Sequence, residues 1–216
     1  IVLDDGSTDD SVERLQALRA EMAPVPQLHL AEGNSGSVFR QWAKGVDLAR
    51  GDFVWIAEAD DLATPAFLAT LVPEMQRDPG IVMAYCQSRP IDADGAITAT
   101  DYAGWTDALS IERWKTRHVC TGREEVAAAL GVKNTIPNVS AVVFRRDVLA
   151  GVLRGEITVQ IHCYRADEMA LMIDLAREFD FKIAAFHHGV EAYKLADTLA
   201  AEGICGALWA DWWGFK

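Results

Sequence analysis

Three acidic groups in this chain have the residue types and spacing that chemistry on a phosphate-bearing substrate would need. The first is Asp4-Asp5-Gly6-Ser7-Thr8-Asp9, directly after the apolar Ile1-Val2-Leu3. A carboxylate at the carboxyl end of a strand can accept hydrogen bonds from a nucleotide base or a ribose hydroxyl. Gly6 permits a tight turn, and Ser7, Thr8 or Asp10 can cap a following helix. A capped turn with solvated acids would read the same way. The second group is Glu58-Ala59-Asp60-Asp61, after the apolar Phe53-Val54-Trp55-Ile56-Ala57. Acids crowded at the end of a buried strand repel one another and lose solvation, and a divalent cation relieves both penalties. Mg2+ or Mn2+, held by one or two carboxylates plus substrate phosphates, is the usual arrangement. An N-cap cluster ahead of Pro65 is the plainer alternative. The third group is Asp167-Glu168, four residues beyond Cys163 at its nearer member. It offers a general base for an acceptor hydroxyl, or simply acids favoured by a helix dipole.

The elements that must position these acids alternate. Ile1-Val2-Leu3 reads as the end of a strand. A helix with Val12, Leu15, Leu18 and Met22 at helical spacing follows the first acidic turn. Residues 27–31 read as a short strand. A second helix carries Phe39, Trp42, Val46 and Ala49 on one face and is expected to end at Gly51. Residues 52–59 read as a buried strand, Pro65 suits the first turn of a third helix, and residues 81–88 form a fourth strand. This β-α-β alternation implies a mainly parallel sheet covered by helices. Residues 89–122 read as a long loop with a short helix. Residues 139–146 form a strand. Residues 166–179 form an amphipathic helix with Met169, Met172, Ile173 and Ala176 inward, and residues 182–186 the last strand. Opening on the tail of a strand, the chain is expected to lack the start of that strand, and up to a β-α unit of roughly 30 residues. Neighbouring domains of a longer chain are expected with it.

In combination and order these segments resemble family 2 glycosyltransferases. Residues 2–11, VLDDGSTDDS, are similar to the family's DDGSxD signature. Residues 34–61 resemble its N-x-G segment, its helix, its A-x-GD turn and a variant of its DxD motif. Residues 138–149 resemble its acceptor-side strand, and residues 164–176 its ED segment. The resemblance implies a GT-A-like (Rossmann-like) α/β fold, a nucleotide-sugar donor, and inverting transfer to a glycan, polysaccharide or lipid-linked acceptor, of bacterial cell-envelope type. By that analogy Asp4, Asp5 and Ser7 bind the nucleotide. Asp60 and Asp61 hold Mg2+ or Mn2+, Asp60 as the main ligand, and Glu58 joins the nucleotide-binding set, supporting the metal or the donor sugar. Glu168 or Asp167 is the base, Glu168 matching the second acid of the ED pair, and Arg40 or Arg165 assists the diphosphate. Glu58 stands where aspartate is common, and Asp167-Glu168 reverses the usual Glu-Asp order. His187 and His188 fall where the family often carries a His-bearing or Arg-rich segment. They read as ligands to the metal or diphosphate, or as ordinary core or surface histidines.

Composition narrows the alternatives. At 216 residues and 50% hydrophobic, the chain can bury one core. We read a single catalytic domain over 1–216, with a nucleotide-sugar-binding half at 1–88 and an acceptor half at 89–216. A net charge of −12 argues against nucleic acid as a partner. It is compatible with an anionic substrate bridged by a cation. The four cysteines, Cys86, Cys120, Cys163 and Cys205, form no CxxC pair, so they read as core thiols of a reduced compartment and carry no zinc signature. No apolar run approaches the roughly 20 residues of a membrane span. The expected location is the cytoplasm or the inner face of the membrane. Trp209, Trp212 and Trp213 suit packing on this or a neighbouring domain, since no basic face accompanies them for a membrane surface. A nucleotidyltransferase would show a Gly-rich phosphate loop. A haloacid-type phosphatase would need Asp where Leu3 stands, and a dinucleotide dehydrogenase would need GxGxxG. A catalytically decayed sugar-nucleotide-binding module is the non-enzyme alternative.

Overall fold

The computed structural model describes residues 1–130, 132–136, 138–179 and 181–208. The tryptophan group at 209–213 lies outside them. Along the chain run β1 (Val2–Asp4), α1 (Ser11–Glu21), β2 (Leu28–Leu30), α2 (Val38–Leu48), β3 (Phe53–Trp55), α3 (Ala66–Arg77), β4 (Met83–Tyr85), α4 (Ala103–Thr106) and α5 (Gly122–Glu125). They continue with β5 (Val142–Arg145), α6 (Arg146–Leu153), β6 (Val159–His162), α7 (Ala166–Phe179), β7 (Ile183–His187), α8 (Ala196–Glu202) and β8 (Cys205–Ala207). The architecture is α/β, with parallel strands flanked by helices. The chain divides into two compact units, one of residues 1–54 and 146–208, the other of residues 55–145.

In the first unit β1 pairs in parallel with β2, Val2 opposite Leu28 and Asp4 opposite Leu30. β6, β7 and β8 form a parallel sheet with β7 in the middle. Parallel pairing requires a crossover, and α7 and α8 supply two of them. The inward stripe of α7 follows the helical period: Met169, Ile173 and Ala176 are buried, with Met172 packed beside them. They meet Ile183 and Phe186 of β7, Leu199 of α8, Cys163 and Ala192 in one apolar cluster. Truncating a fully buried methionine such as Met169 costs about 2–5 kcal/mol. β6 and β8 were not expected. β6 is short and half polar, and β8 is Cys-Gly-Ala, with no β-branched residue to mark it.

α2 is the most strongly amphipathic of these helices and buries Val46. Phe39 and Trp42 on the same helix meet edge-on at 4.9 Å. The helix ends at Leu48, capped at Ala49, earlier than Gly51. The Gly51 carbonyl instead accepts a 2.7 Å bond from Arg146 Nε. α1 departs further from expectation: it buries no residue, and Leu18 and Met22 are exposed. Its acids and arginines are spread around the helix, so the apolar positions form only a narrow stripe.

In the second unit, β4 and β5 pair antiparallel, with Ala84 opposite Val143. This departs from an all-parallel arrangement. α3 packs against both strands. Phe67 and Met75 from the helix and Val142 and Val143 from β5 are buried. Arg145 Nη2 reaches the Met75 carbonyl at 2.7 Å, satisfying a group near the end of a helix that carries Pro73 inside it.

Candidate functional site

The Asp4-Asp5 turn sits where β1 ends. Asp4 is buried, and its Oδ1 accepts the backbone N–H groups of Gly6 at 3.2 Å and Ser7 at 3.1 Å. Hydrogen bonding from Ser7, above all its side chain, keeps this carboxyl below its ordinary range despite burial. Gly6 has φ of +79°, and a Cβ there would lie 2.6 Å from the Gly33 carbonyl carbon. Only glycine fits such a place. Asp5 accepts from the Ser35 N–H (3.0 Å), the Ser35 hydroxyl (2.6 Å) and Gln41 Nε2 (2.5 Å). The first acidic turn is thereby joined to the Asn34-Ser35-Gly36 segment and to α2. Ser7 is exposed. The anticipated caps of α1 do not form: Asp10 occupies the N-cap without a side-chain cap bond, while Asp9 Oδ1 accepts from Ser11 N–H.

Asp167 and Glu168 open α7 and are both exposed. They are not equivalent. Arg165 grips Asp167 with two bonds, Nε to Oδ1 at 2.9 Å and Nη2 to Oδ2 at 2.7 Å, and lowers its carboxyl pKa. Among the described residues, Glu168 receives a single side-chain contact, from the Cys163 thiol at 3.7 Å. The N-terminus of α7 is capped from a distance: Glu191 Oε2 accepts the Ala166 N–H at 3.0 Å. Neither Arg165 nor Arg40 stands alone, since Arg40 pairs with Glu178 at 3.4 Å. His162, His187 and His188 gather at the carboxyl ends of β6 and β7, with ring centroids 5.2 Å (His162–His187) and 4.8 Å (His162–His188) apart. His187 Nε2 lies 2.9 Å from Gln160 Oε1. His188 adopts φ of +56°. His162, which sequence reading did not single out, has a buried Nδ1 with no hydrogen-bond partner among the described residues.

In the second unit Glu58 is half-buried, and Asp60 and Asp61 are exposed on the turn after β3. Two hydrogen bonds tie this segment to the residues before β5: Trp55 Nε1 donates to the Ser140 carbonyl at 2.8 Å, and Glu58 N–H donates to the Ser140 hydroxyl at 3.0 Å. A cavity of about 880 Å³ opens beside the turn, lined by Asp61, Phe67, Arg89, Asp101, Trp114 and Asn138 among others. Its size falls in the range of ligand pockets. Asp60 and Asp61 both face solvent, so the lost solvation expected of acids at the end of a buried strand does not hold for them. Among the described residues Glu58, Asp60 and Asp61 do not converge as a three-ligand group; exposed carboxylate oxygens are the donor type that a hard cation takes together with water and phosphate.

Sequence reasoning missed a second donor group in this unit. Among the described residues, His118, Cys120 and Glu125 bring one ligand atom each to within 4.8 Å of one another. Cys120 and Cys205 are exposed and Cys86 is half-buried, so only Cys163 is the buried core thiol expected of all four.

Comparison with known proteins assigns the family. The glycosyl transferase family 2 model matches residues 1–127. The chain belongs to glycosyl transferase family 2. It is 30% identical over 149 residues to "Uncharacterized glycosyltransferase YibD" of Escherichia coli (strain K12), covering 69% of this chain and 40% of that protein. It is 26% identical over 101 residues to a chondroitin synthase of Escherichia coli, covering 47% of this chain and 14% of the other. A segment of 53 residues is 38% identical to "Amidohydrolase tasK" of Hapsidospora irregularis, covering 24% of this chain and 5% of that protein. The chain thus spans less than half the length of each of these relatives.

Proposed function

We propose that residues 1–216 act as one glycosyltransferase domain that moves a sugar from a nucleoside diphosphate sugar to a glycan or lipid-linked acceptor, with inversion and with Mg2+ or Mn2+. The observation that carries this reading is the first acidic turn: Asp4 and Asp5 follow a parallel strand, lead into a helix, and fall within the family match. Open α/β sheets take their ligands at that edge. Asp4, Asp5 and Ser7 bind the nucleotide. Asp60 and Asp61 hold the cation, with Glu58 on the donor sugar. When bound, the cation neutralises the diphosphate as it leaves.

Glu168 takes the proton of the acceptor hydroxyl, whose oxygen attacks the anomeric carbon as the bond to the diphosphate breaks. Two features support Glu168 over Asp167. Arg165 already engages both oxygens of Asp167, and Glu191 meets the capping need of the helix. Within the second unit, the cavity that Asp61 borders offers apolar faces at Trp114 and Phe67 and polar edges at Asn138, Arg89 and Asp101, a lining suited to a sugar ring.

The full protein is to be assayed with uridine, thymidine and guanosine diphosphate sugars and Mn2+. Sugar transfer that is lost in Asp60→Ala while the fold persists is the expected result. Transfer unchanged in Asp60→Ala removes the metal assignment. Donor binding without turnover on any acceptor leaves the decayed binding module standing.

A further inference from the structure

The group His118, Cys120 and Glu125 has the chemistry of a transition-metal site. All three lie in the second unit, around the start of α5. Thr121 caps that helix in a reciprocal box with Glu124, which turns the next residue, Glu125, inward. Glu125 is buried, and its Oε1 has no hydrogen-bond partner among the described residues. Its Oε2 receives the Cys120 thiol at 3.3 Å and faces His118 Nε2 at 3.9 Å. His118 Nδ1 meets the Thr116 carbonyl at 3.4 Å. Donation from Nδ1 to a backbone carbonyl leaves the Nε2 lone pair facing the other two groups, the orientation that metal-bound histidines adopt.

The distances suit a small cation. With metal–sulfur bonds of about 2.3 Å and metal–oxygen or metal–nitrogen bonds of about 2.0–2.2 Å, neighbouring ligand atoms of a tetrahedron stand about 3.3–3.6 Å apart. The Cys120–Glu125 separation is already there, the His118–Glu125 separation needs a shift of a few tenths of an ångström, and His118 and Cys120, within 4.8 Å of each other, close by up to about an ångström through side-chain rotation of these two exposed residues. A positive charge already occupies the place: Arg113 Nη2 pairs with Glu125 Oε2 and reaches the Cys120 sulfur at 3.4 Å. His118 and Cys120 are exposed, which gives an ion a way in.

We propose that His118 Nε2, Cys120 Sγ and the Glu125 carboxylate bind one Zn2+-class ion, with water in the fourth position and Arg113 as the counter-cation that the ion displaces. One thiolate, one imidazole and one carboxylate form a borderline-soft set, unlike the oxygen-only pair Asp60 and Asp61. Binding converts the Cys120 thiol to a metal-bound thiolate and releases one proton.

The test is a Co2+ titration of the metal-stripped, reduced protein, followed in the near ultraviolet where thiolate-to-cobalt charge transfer absorbs. One equivalent should develop the band, Zn2+ should abolish it, and one proton should appear per ion bound. Cys120→Ser should lose the band and weaken Zn2+ binding by at least about 100-fold, more than the loss of an outer-shell partner causes. Cys205→Ser should keep both. Glu125→Gln provides a second variant if Cys120→Ser fails to fold, and should also weaken binding. A titration with no charge-transfer band, or a band that survives in Cys120→Ser, overturns the proposal.

Discussion

Ser35 donates both its backbone N–H and its hydroxyl to the carboxylate of Asp5, across 30 residues of sequence. With Gln41 as a third donor, most of the acceptor capacity of Asp5 is spent on holding two loops and a helix together. Asp5 is therefore a structural clamp, beside the nucleotide contact proposed for it. Asp5→Asn replaces a charged acceptor by a neutral one and places an amide N–H against Ser35 or Gln41. We expect a stability loss of about 1–3 kcal/mol in urea unfolding, in addition to weaker donor binding. A stability equal to that of the unsubstituted protein would leave Asp5 with no clamping role.

Gly6 and Gly33 make a controlled pair. Gly6→Ala forces a Cβ into the Gly33 and Asn34 backbone at a positive φ, whereas a Cβ at Gly33 meets nothing within 4 Å. Gly6→Ala should lower the urea midpoint by about 1–3 kcal/mol in stability. Gly33→Ala should stay within about 0.5 kcal/mol.

The two acids that open α7 should separate in kinetics. Glu168→Gln should lower the rate of transfer by at least about 100-fold, the scale of general-base catalysis, while donor binding persists. Asp167→Asn frees Arg165 from an exposed pair and should change the rate far less. A large loss in Asp167→Asn alone would exchange the roles.

The thiols should differ in reactivity. Burial, followed by the Glu168 charge, pushes the Cys163 pKa up to about 11, so almost none of it is thiolate at pH 8. Timed labelling with a maleimide and mass spectrometry should find exposed Cys205 modified first and Cys163 last. Early labelling of Cys163 in the folded protein would contradict its burial beneath α7.

Acid should weaken the first unit through His162. Burial, then the neighbouring His188 and His187, depress its pKa. Below about pH 6.5 an unfolded histidine takes a proton that the folded one still refuses. The unfolded state then binds more protons, and stability falls as the pH drops through that window. His162→Phe should flatten this part of the stability–pH curve measured by thermal unfolding. An unaltered slope would place the acid sensitivity elsewhere.

The sequence exposed the parts of this protein that repeat locally. Helix α7 matched its expected span, because Met169, Ile173 and Ala176 recur at the helical period. The acidic turns were legible from the apolar runs before them. The contacts that organise them were not. Ser35 lies 30 residues from Asp5, and Ser140 lies 82 from Glu58; no local period carries such pairings. β6 and β8 escaped because β6, Val-Gln-Ile-His, has no continuous apolar run and β8 is Cys-Gly-Ala, with no β-branched or aromatic residue to mark a strand. The His118-Cys120-Glu125 group escaped because its spacing matches no common zinc pattern and its acid enters on the far side of a capping turn.

The bond from the Glu58 N–H to the Ser140 hydroxyl is made by the main chain of one partner and the side chain of the other. The two positions therefore tolerate change unequally. Every residue except proline carries the amide hydrogen this bond needs, so glutamate in place of aspartate at 58 keeps the bond to Ser140. At 140 only a small hydroxyl residue keeps the anchor in its buried place. Variation among relatives at this turn should accordingly be wide in acid length at 58 and confined to serine or threonine at 140.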